Sequence, residues 1–299
     1  MRAAVIFGLG TSHKDLKPFQ QDSDVQWIVG LPASAIEADA VIIFGGDGTL
    51  HRHLASLVKL RLPVLIVPAG SGNDFARALG LRTRSDSRTA WQKFAKGGEN
   101  TRKIDLGVIA QVGSSSSAIS RAASDPLTKY FCCVAGCGLD AEVTRRANQL
   151  PRWMRAHGGY AMSLPAALAK FRPFPLKLSL PAGPDDSFAV ERDEPTVLLA
   201  CANTPVYGGG MKIAPQARLD DGQLDVCHIS DVDKFKLFCL FPTVYFGRHL
   251  SLKEVDYFHA VKLRLETHQP VDVYADGEYV CQTPVEIGVE PAAVTVIAP

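Results

Sequence analysis

Two glycine-rich turns, each ending a short apolar run and each leading into a helix-like segment, constrain this chain more than any other feature. They lie within AVIIFGGDGTLHRHLASLVKLRLPVLIVPAGSGNDFARALGL, from Ala40 to Leu81. Ala40 to Phe44 has strand length and is rich in β-branched residues. It runs into Gly45-Gly46-Asp47-Gly48-Thr49, where the glycines let the backbone turn sharply and approach a ligand closely. Thr49 is expected to cap a helix starting at Leu50, and the free N–H groups of a helix start attract phosphate. Leu62 to Val67 repeats the strand pattern, Pro68-Ala69-Gly70-Ser71-Gly72-Asn73-Asp74 repeats the turn, and Phe75 to Leu79 starts a second helix. Parallel strands with such turns bring both turns to one edge of an open α/β sheet, the edge where these sheets bind ligands.

The alternation extends to the start of the chain. Ala3 to Phe7 reads as a strand ending in the glycine turn Gly8-Leu9-Gly10-Thr11-Ser12, Lys14 to Gln21 as a short helix, Val25 to Val29 as a strand and Leu31 to Asp39 as a connector. This predicts a parallel sheet with helices on its faces. Gly97 to Lys103 reads as a loop, and from Ile104-Asp105-Leu106-Gly107-Val108 the pattern changes. Gln111 to Pro126, with its serine run, reads as a flexible hairpin tip, and Lys129 to Ala135 as one strand. Gly136-Cys137-Gly138-Leu139-Asp140-Ala141-Glu142-Val143 opens a helix. Residues 176–230 read as several short strands, 234–250 as an apolar helical stretch with basic ends, and 259–298 as strands again. Many short strands with turn residues predict a β-rich, sandwich-like second domain.

Composition narrows the classes. A net charge of +1 gives no field for nucleic acid, and no nucleic-acid module is recognisable. The seven cysteines have irregular spacing and no second Cys/His pair to complete a zinc site near Cys132, Cys133 and Cys137, so reduced thiols and a cytoplasmic protein are expected. The apolar run of Met1–Gly10 is too short for a signal peptide, and no apolar run reaches bilayer-spanning length.

The two turns match neither a Walker A loop nor the Rossmann G-x-G-x-x-G pattern. As a pair, Gly-Gly-Asp-Gly-Thr followed by Gly-Ser-Gly-Asn-Asp-Phe-Ala-Arg resembles the catalytic domain of the diacylglycerol kinase family, which includes bacterial lipid kinases, sphingosine kinases and ceramide kinases. NAD kinases share the first motif and lack the second in this form. The resemblance covers almost the whole chain. It departs near the N-terminus, where one helix is trimmed, and at His51-Arg52, where the family usually has Asn-Glu.

Several residues are candidates for chemistry. Asp47 reads either as a cap on the following helix or, as the resemblance implies, as a ligand for nucleotide-held Mg²⁺, an ion that takes one or two carboxylates beside phosphates and water. Gly45, Gly46, Gly48 and Thr49 would cradle phosphates. Arg52 reads as a phosphate contact or as a solvated helix charge. Ser71 resembles a nucleotide-contacting position, with Gly70 and Gly72 beside it. Asn73 and Asp74 read as helix caps or, for Asp74, as a group near the substrate hydroxyl or metal. Arg77 is spaced to pair with Asp74.

Asp220-Asp221-Gly222 reads as a tight hairpin. The resemblance adds a structural Mg²⁺ held by the Asp221 carboxylate and the backbone carbonyls of Arg218 and Gln223. Gly208-Gly209-Gly210 reads as a flexible loop near the cleft. Asp276-Gly277-Glu278 reads as a second hairpin turn. The resemblance implies that Glu278 is the general base for a lipid hydroxyl, with Asp276 as a neighbour that orients it or couples to metal. Aromatic and basic residues at 151–175 and 234–250, among them Trp153, Phe171, Phe235, Phe238, Arg152, Arg155 and Lys234, suit a membrane interface or two packed helices.

The resulting expectation is an α/β N-terminal domain with an open parallel sheet of the NAD kinase and diacylglycerol kinase type over residues 1–104, and a β-rich, sandwich-like lipid domain over 105–287. Residues from about 288 to 299 would pack back on the first domain. Glu278, Asp47 and Asp276 would be catalytic, Gly45–Thr49 and Gly70–Asp74 nucleotide-binding, and Asp47, Asp221, Arg218 and Gln223 metal-binding. The implied activity is transfer of a phosphate from ATP with Mg²⁺ to diacylglycerol or a related lipid at a membrane surface, with a homodimer left open. The alternatives are an NAD kinase-like enzyme and a catalytically weakened lipid- or nucleotide-binding regulator.

Overall fold

Strand β1 (Arg2–Phe7) lies between β2 (Gln26–Val29) and β3 (Ala40–Gly45), and β4 (Val64–Pro68) follows, all parallel in the order β2-β1-β3-β4. Every residue of β3 and β4 is buried, which is why both read as unbroken apolar runs. The register sets Phe7 beside Phe44 and Phe44 beside Val67, so the three strand ends are level and their turns share one edge. The computed structural model describes residues 1–21, 24–112, 128–151, 154, 159–183 and 187–299. The serine-rich tip expected at 111–126 and the candidate interface residues Arg152, Trp153 and Arg155 fall outside them, the first almost entirely.

Helices α1 (His13–Gln20) and α5 (Arg84–Ala95) each begin with a capping box, Ser12 with Asp15 and Thr83 with Asp86. Trp91 of α5 is fully buried and meets Trp27 at 5.5 Å. The first turn leads into α2 (Asp47–His51), then α3 (Leu54–Leu60), and the second into α4 (Asp74–Ala78).

Two long strands join the halves. Strand β5 (Thr101–Gln111) pairs antiparallel with β15 (Val285–Ile297), from Val285 beside Gln111 to Ile297 beside Thr101. At its far end β15 also joins the parallel sheet, Val296 beside Val64. The β5–β15 register shifts between Glu290 and Val294. Asp105 sits at this bulge: its Oδ1 accepts from Ala292 N and its Oδ2 from Gly222 N, both at 2.7 Å. Gly107, two residues on, leaves room for the Phe131 ring, which would lie 1.9 Å from a Cβ there.

The second half is antiparallel and β-rich. Its main path is β14 (Glu278–Gln282), β13 (Asp272–Ala275), β7 (Val134–Gly138), β9 (Phe188–Ala202), β8 (Phe174–Pro181), β12 (Lys262–Thr267) and β15, with β10 (Leu224–Ser230) pairing β9 and β11 (Val255–Ala260). Helices α6 (Leu139–Gln149), α7 (Gly159–Lys170) and α8 (Lys234–Leu240) lie on this half.

Four local expectations are corrected. Thr101–Lys103 belong to β5 rather than to a loop, held there by Thr295, Val296 and Ile297 opposite. Lys129–Ala135 is two strands, β6 (Lys129–Phe131) and β7, because Cys132 and Cys133 turn their N–H groups to Asp276. The strands of 176–230 include one of 15 residues, β9, which pairs in turn with three neighbours. Asp220-Asp221-Gly222 does not form a two-residue hairpin: it ends the long connection from β9 to β10 and is tied by Gly222 to Asp105.

Candidate active site

The two glycine turns touch. A Cβ on Gly46 would lie 2.7 Å from Gly70 Cα, and one on Gly70 would lie 2.6 Å from Gly46 Cα. Real Cβ contacts are not this short, so only glycine lets the turns meet. Thr49 does not cap α2, whose N-cap is Gly46. It is buried inside the helix, and its side chain occupies the space over Gly45 and Gly8, 2.6 Å and 2.5 Å from where their Cβ atoms would be.

Asp47, the first residue of α2, reaches across to the second turn. Its Oδ2 accepts from Asp74 N at 3.1 Å and its Oδ1 from Phe75 N at 3.2 Å. It thus caps α4 rather than its own helix. Asn73, the N-cap of α4, makes no side-chain cap bond. It adopts a left-handed backbone (φ 58°), and its amide closes the Gly70 loop in both directions at 2.8 Å. Burial, with the Asp74 charge next, pushes the Asp47 carboxyl up to about 6 against the lowering effect of the two N–H bonds. Asp74 is buried, pairs with Arg77 at 3.2 Å and accepts from Gly209 N at 3.0 Å. The 208–210 glycine loop is thereby brought to the cleft, as its sequence suggested. Ser71 and Gly72 line the same cleft.

The β13–β14 hairpin forms the opposite wall. Ala275 pairs with Glu278 across Asp276-Gly277, both with positive φ (50° and 85°). This is the backbone that short hairpin turns require, so the turn reading of Asp276-Gly277-Glu278 is correct. The Asp276 side chain is fully buried. Its Oδ1 accepts from Cys133 N and its Oδ2 from Cys132 N, each at 2.8 Å, and His51 Nδ1 lies 3.1 Å from Oδ2. Burial disfavours the imidazolium of His51, but the Asp276 bond and charge outweigh it and raise its proton affinity. Glu278 is exposed to the cleft, and its Oε1 would lie 3.0 Å from a Cβ on Gly48. Arg52 is exposed and donates from Nε to Gly48 O at 2.9 Å.

These groups line one cleft of about 710 Å³, with Gly46, Asp47, Gly48 and Thr49 on one side and Asp276, Gly277 and Glu278 on the other. Tyr207 lines the cleft and also an apolar cavity behind it, walled by Leu139, Val143, Leu164, Val197, Ile229 and Phe241. Its hydroxyl donates to Asp140 Oδ1 at 2.6 Å. Burial pushes the Asp140 carboxyl up to about 6, although the Tyr207 bond lowers it. Sequence reasoning assigned no role to His51, Tyr207 or Asp140. Asp140 stood in the quoted Gly-Leu-Asp-Ala-Glu-Val stretch, and its partner comes from 67 residues further along.

Asp221, Arg218 and Gln223 lie apart from this cleft. Asp221 Oδ1 accepts from Gln223 N at 3.2 Å, and the Asp221 charge raises the neighbouring Asp225. Burial is the larger cause of that rise, and Asp225 Oδ2 is buried without a hydrogen-bond partner.

Comparison with known proteins accords with this geometry. Residues 16–109 match the diacylglycerol kinase catalytic domain, and residues 133–298 match the YegS C-terminal NAD kinase beta sandwich-like domain. A diacylglycerol kinase of Mycobacterium tuberculosis (strain H37Rv) is 36% identical over 267 residues, covering 89% of this chain and 79% of the relative. A diacylglycerol kinase of Bacillus subtilis (strain 168) is 26% identical over 249 residues, covering 83% and 73%. A crystal structure assigned to a diacylglycerol kinase of Bacillus anthracis superposes with a TM-score of 0.72 at 21% identity, over 100% of this chain and 97% of that one. An Archaeoglobus fulgidus NAD kinase in complex with ATP shares the fold at a TM-score of 0.53 and 13% identity, over 99% and 93%. With the expected α/β and β-rich halves both present and both halves matched, the chain belongs to the diacylglycerol kinase family of lipid kinases.

Proposed function

We propose that this protein transfers the γ-phosphate of ATP to the hydroxyl of diacylglycerol or a similar lipid. One observation carries the reading: Tyr207 lines both the polar cleft and a small apolar cavity of about 70 Å³ behind it, so apolar surface adjoins the phosphate cleft where a lipid tail would enter by widening that cavity. An NAD-type acceptor has no use for such a cavity.

In this reading the phosphates lie against the two glycine turns, Gly45–Thr49 and Gly70–Asp74, of which Gly46–Thr49 and Gly70–Gly72 line the cleft. Burial and then the Asp74 and Asp276 charges raise the cost of ionising Asp47, and a cluster of three carboxylates of this kind suits a cation. Asp47 would hold Mg²⁺, which when bound neutralises charge on the transferring phosphate. Asp221, beside the unpartnered Asp225 oxygen, suits the second Mg²⁺, with the carbonyls of Arg218 and Gln223 completing its protein ligands.

Glu278 takes the proton of the lipid hydroxyl as its oxygen bonds to the γ-phosphorus and the bond to the ADP oxygen breaks. General-base help of this kind contributes roughly 10²–10⁴ in rate. Asp276 positions rather than reacts: its oxygens hold Cys132, Cys133 and His51, fixing the hairpin that carries Glu278. Phe235 and Phe246 are 75% and 72% exposed, and with Phe238 they suit contact with a membrane surface. No helix among the described residues is long and apolar enough to cross a membrane.

The test offers Mg²⁺ and γ-labelled ATP with diacylglycerol, monoacylglycerol, sphingosine, ceramide and NAD. Label in a glycerolipid is expected. Label in NAD alone, or none despite bound ATP, overturns the proposal in favour of an NAD kinase-like enzyme or a regulator.

A further inference from the structure

Outside the residues that line the cleft, one histidine is arranged as metal ligands are arranged. His228 on β10 is 1% exposed. Its Nε2 lies 2.9 Å from Thr196 Oγ1, and that hydroxyl donates to the Glu194 carbonyl at 3.2 Å. When that hydroxyl gives its proton to the carbonyl, Nε2 carries the ring proton and donates to Thr196, and Nδ1 presents a lone pair. Nδ1 is buried without a hydrogen-bond partner.

The unpartnered nitrogen faces two carboxylates. Glu194 Oε1 is 3.8 Å away, beyond hydrogen-bond distance, and Asp256 pairs directly with His228 in the β10–β11 ladder. One ligand atom from each of the three residues lies within 4.8 Å of the others. Arg192 Nε donates to Asp256 Oδ2 at 3.3 Å and its Nη1 to Glu191, so Asp256 Oδ1 remains available. A buried lone pair converging with two carboxylates is repulsive unless a cation lies among them.

We infer that His228, Glu194 and Asp256 bind one divalent transition-metal ion of the zinc class. Imidazole favours zinc or cobalt over magnesium, which prefers oxygen alone. Ligands about 2.0–2.2 Å from a tetrahedral ion lie roughly 3.4 Å apart, so Glu194 and Asp256, 39% and 48% exposed, draw inward to close on it. The Nε2–Thr196 bond is the outer contact that fixes a ligating ring. Strands β9, β10 and β11 supply one ligand each. The residues adjacent to His228 and Asp256, Ile229 and Val255, point to the opposite face and line the apolar cavity. The ion therefore clamps the wall of that cavity from behind.

The test is Co²⁺ titration of the chelator-treated full chain, read by visible absorption and by thermal unfolding. One equivalent is expected, displaced by Zn²⁺ but not by millimolar Mg²⁺, with a raised Tm. Glu194→Gln, at a half-exposed position, should weaken binding at least tenfold. Thr196→Val, which keeps all three ligands, should weaken it about 10–100-fold. No binding, binding unchanged in Glu194→Gln, or the charge-transfer bands of a cysteine site overturns the inference. None of these readouts depends on kinase activity.

Discussion

His51 Nδ1 and Asp276 Oδ2 meet at 3.1 Å, joining the helix after the first glycine turn to the hairpin that carries Glu278. The two residues are 225 positions apart, and their contact ties the helix after the first glycine turn to the opposite wall of the cleft. Because His51 has a raised proton affinity in the folded chain, its ion pair contributes fully below the unfolded histidine value of about 6.5. That contribution is lost as pH rises through the higher folded value. Urea unfolding of wild type and His51→Gln should therefore differ most near pH 6 and converge toward pH 9. Asp276→Asn, which breaks the buried pair and one backbone contact, should cost about 3–5 kcal/mol.

Gly46→Ala and Gly70→Ala test the contact of the two turns. Each new methyl meets the opposite backbone at under 3 Å, and overpacking of this kind costs about 1–3 kcal/mol. Separating the turns should also weaken ATP binding about tenfold, or roughly 1.4 kcal/mol. Calorimetric titration with ATP reads this directly, and unchanged affinity in both variants would remove the turns from the nucleotide site.

Val197→Phe narrows the apolar cavity from its β9 wall. The lipid KM should rise more for long-chain than for short-chain diacylglycerols, with the ATP KM unchanged. Equal effects on both chain lengths would mean that the acyl chain lies elsewhere.

Local pattern carried much of this fold. The buried runs of β3 and β4, the glycine turns after them and the Asp276-Gly277 hairpin are short-range features, and residue order alone specifies them. What pattern could not supply is which turn a side chain serves. Asp47 looked like a cap for its own helix or a metal ligand, and it caps α4 because the level ends of β3 and β4 bring Asp74 and Phe75 within reach. Thr49 had the right identity for an N-cap, yet the missing Cβ atoms of Gly8 and Gly45 open a space that it fills instead. The Asp-Asp-Gly turn failed as a hairpin because Asp105, a strand residue in a bulged pair, captures Gly222. His51 with Asp276 and Tyr207 with Asp140 are pairs made by the tertiary fold, and neither has a periodic signature.

The most direct measurement is phosphoryl transfer by Glu278→Gln, with ATP affinity measured on the same preparation. Glu278 is exposed at the hairpin tip, so the substitution should leave folding and the ATP Kd unchanged. If Glu278 accepts the hydroxyl proton, kcat falls about 10²–10⁴-fold. Turnover within twofold of wild type would contradict the assignment and move the base to another carboxylate of the cleft.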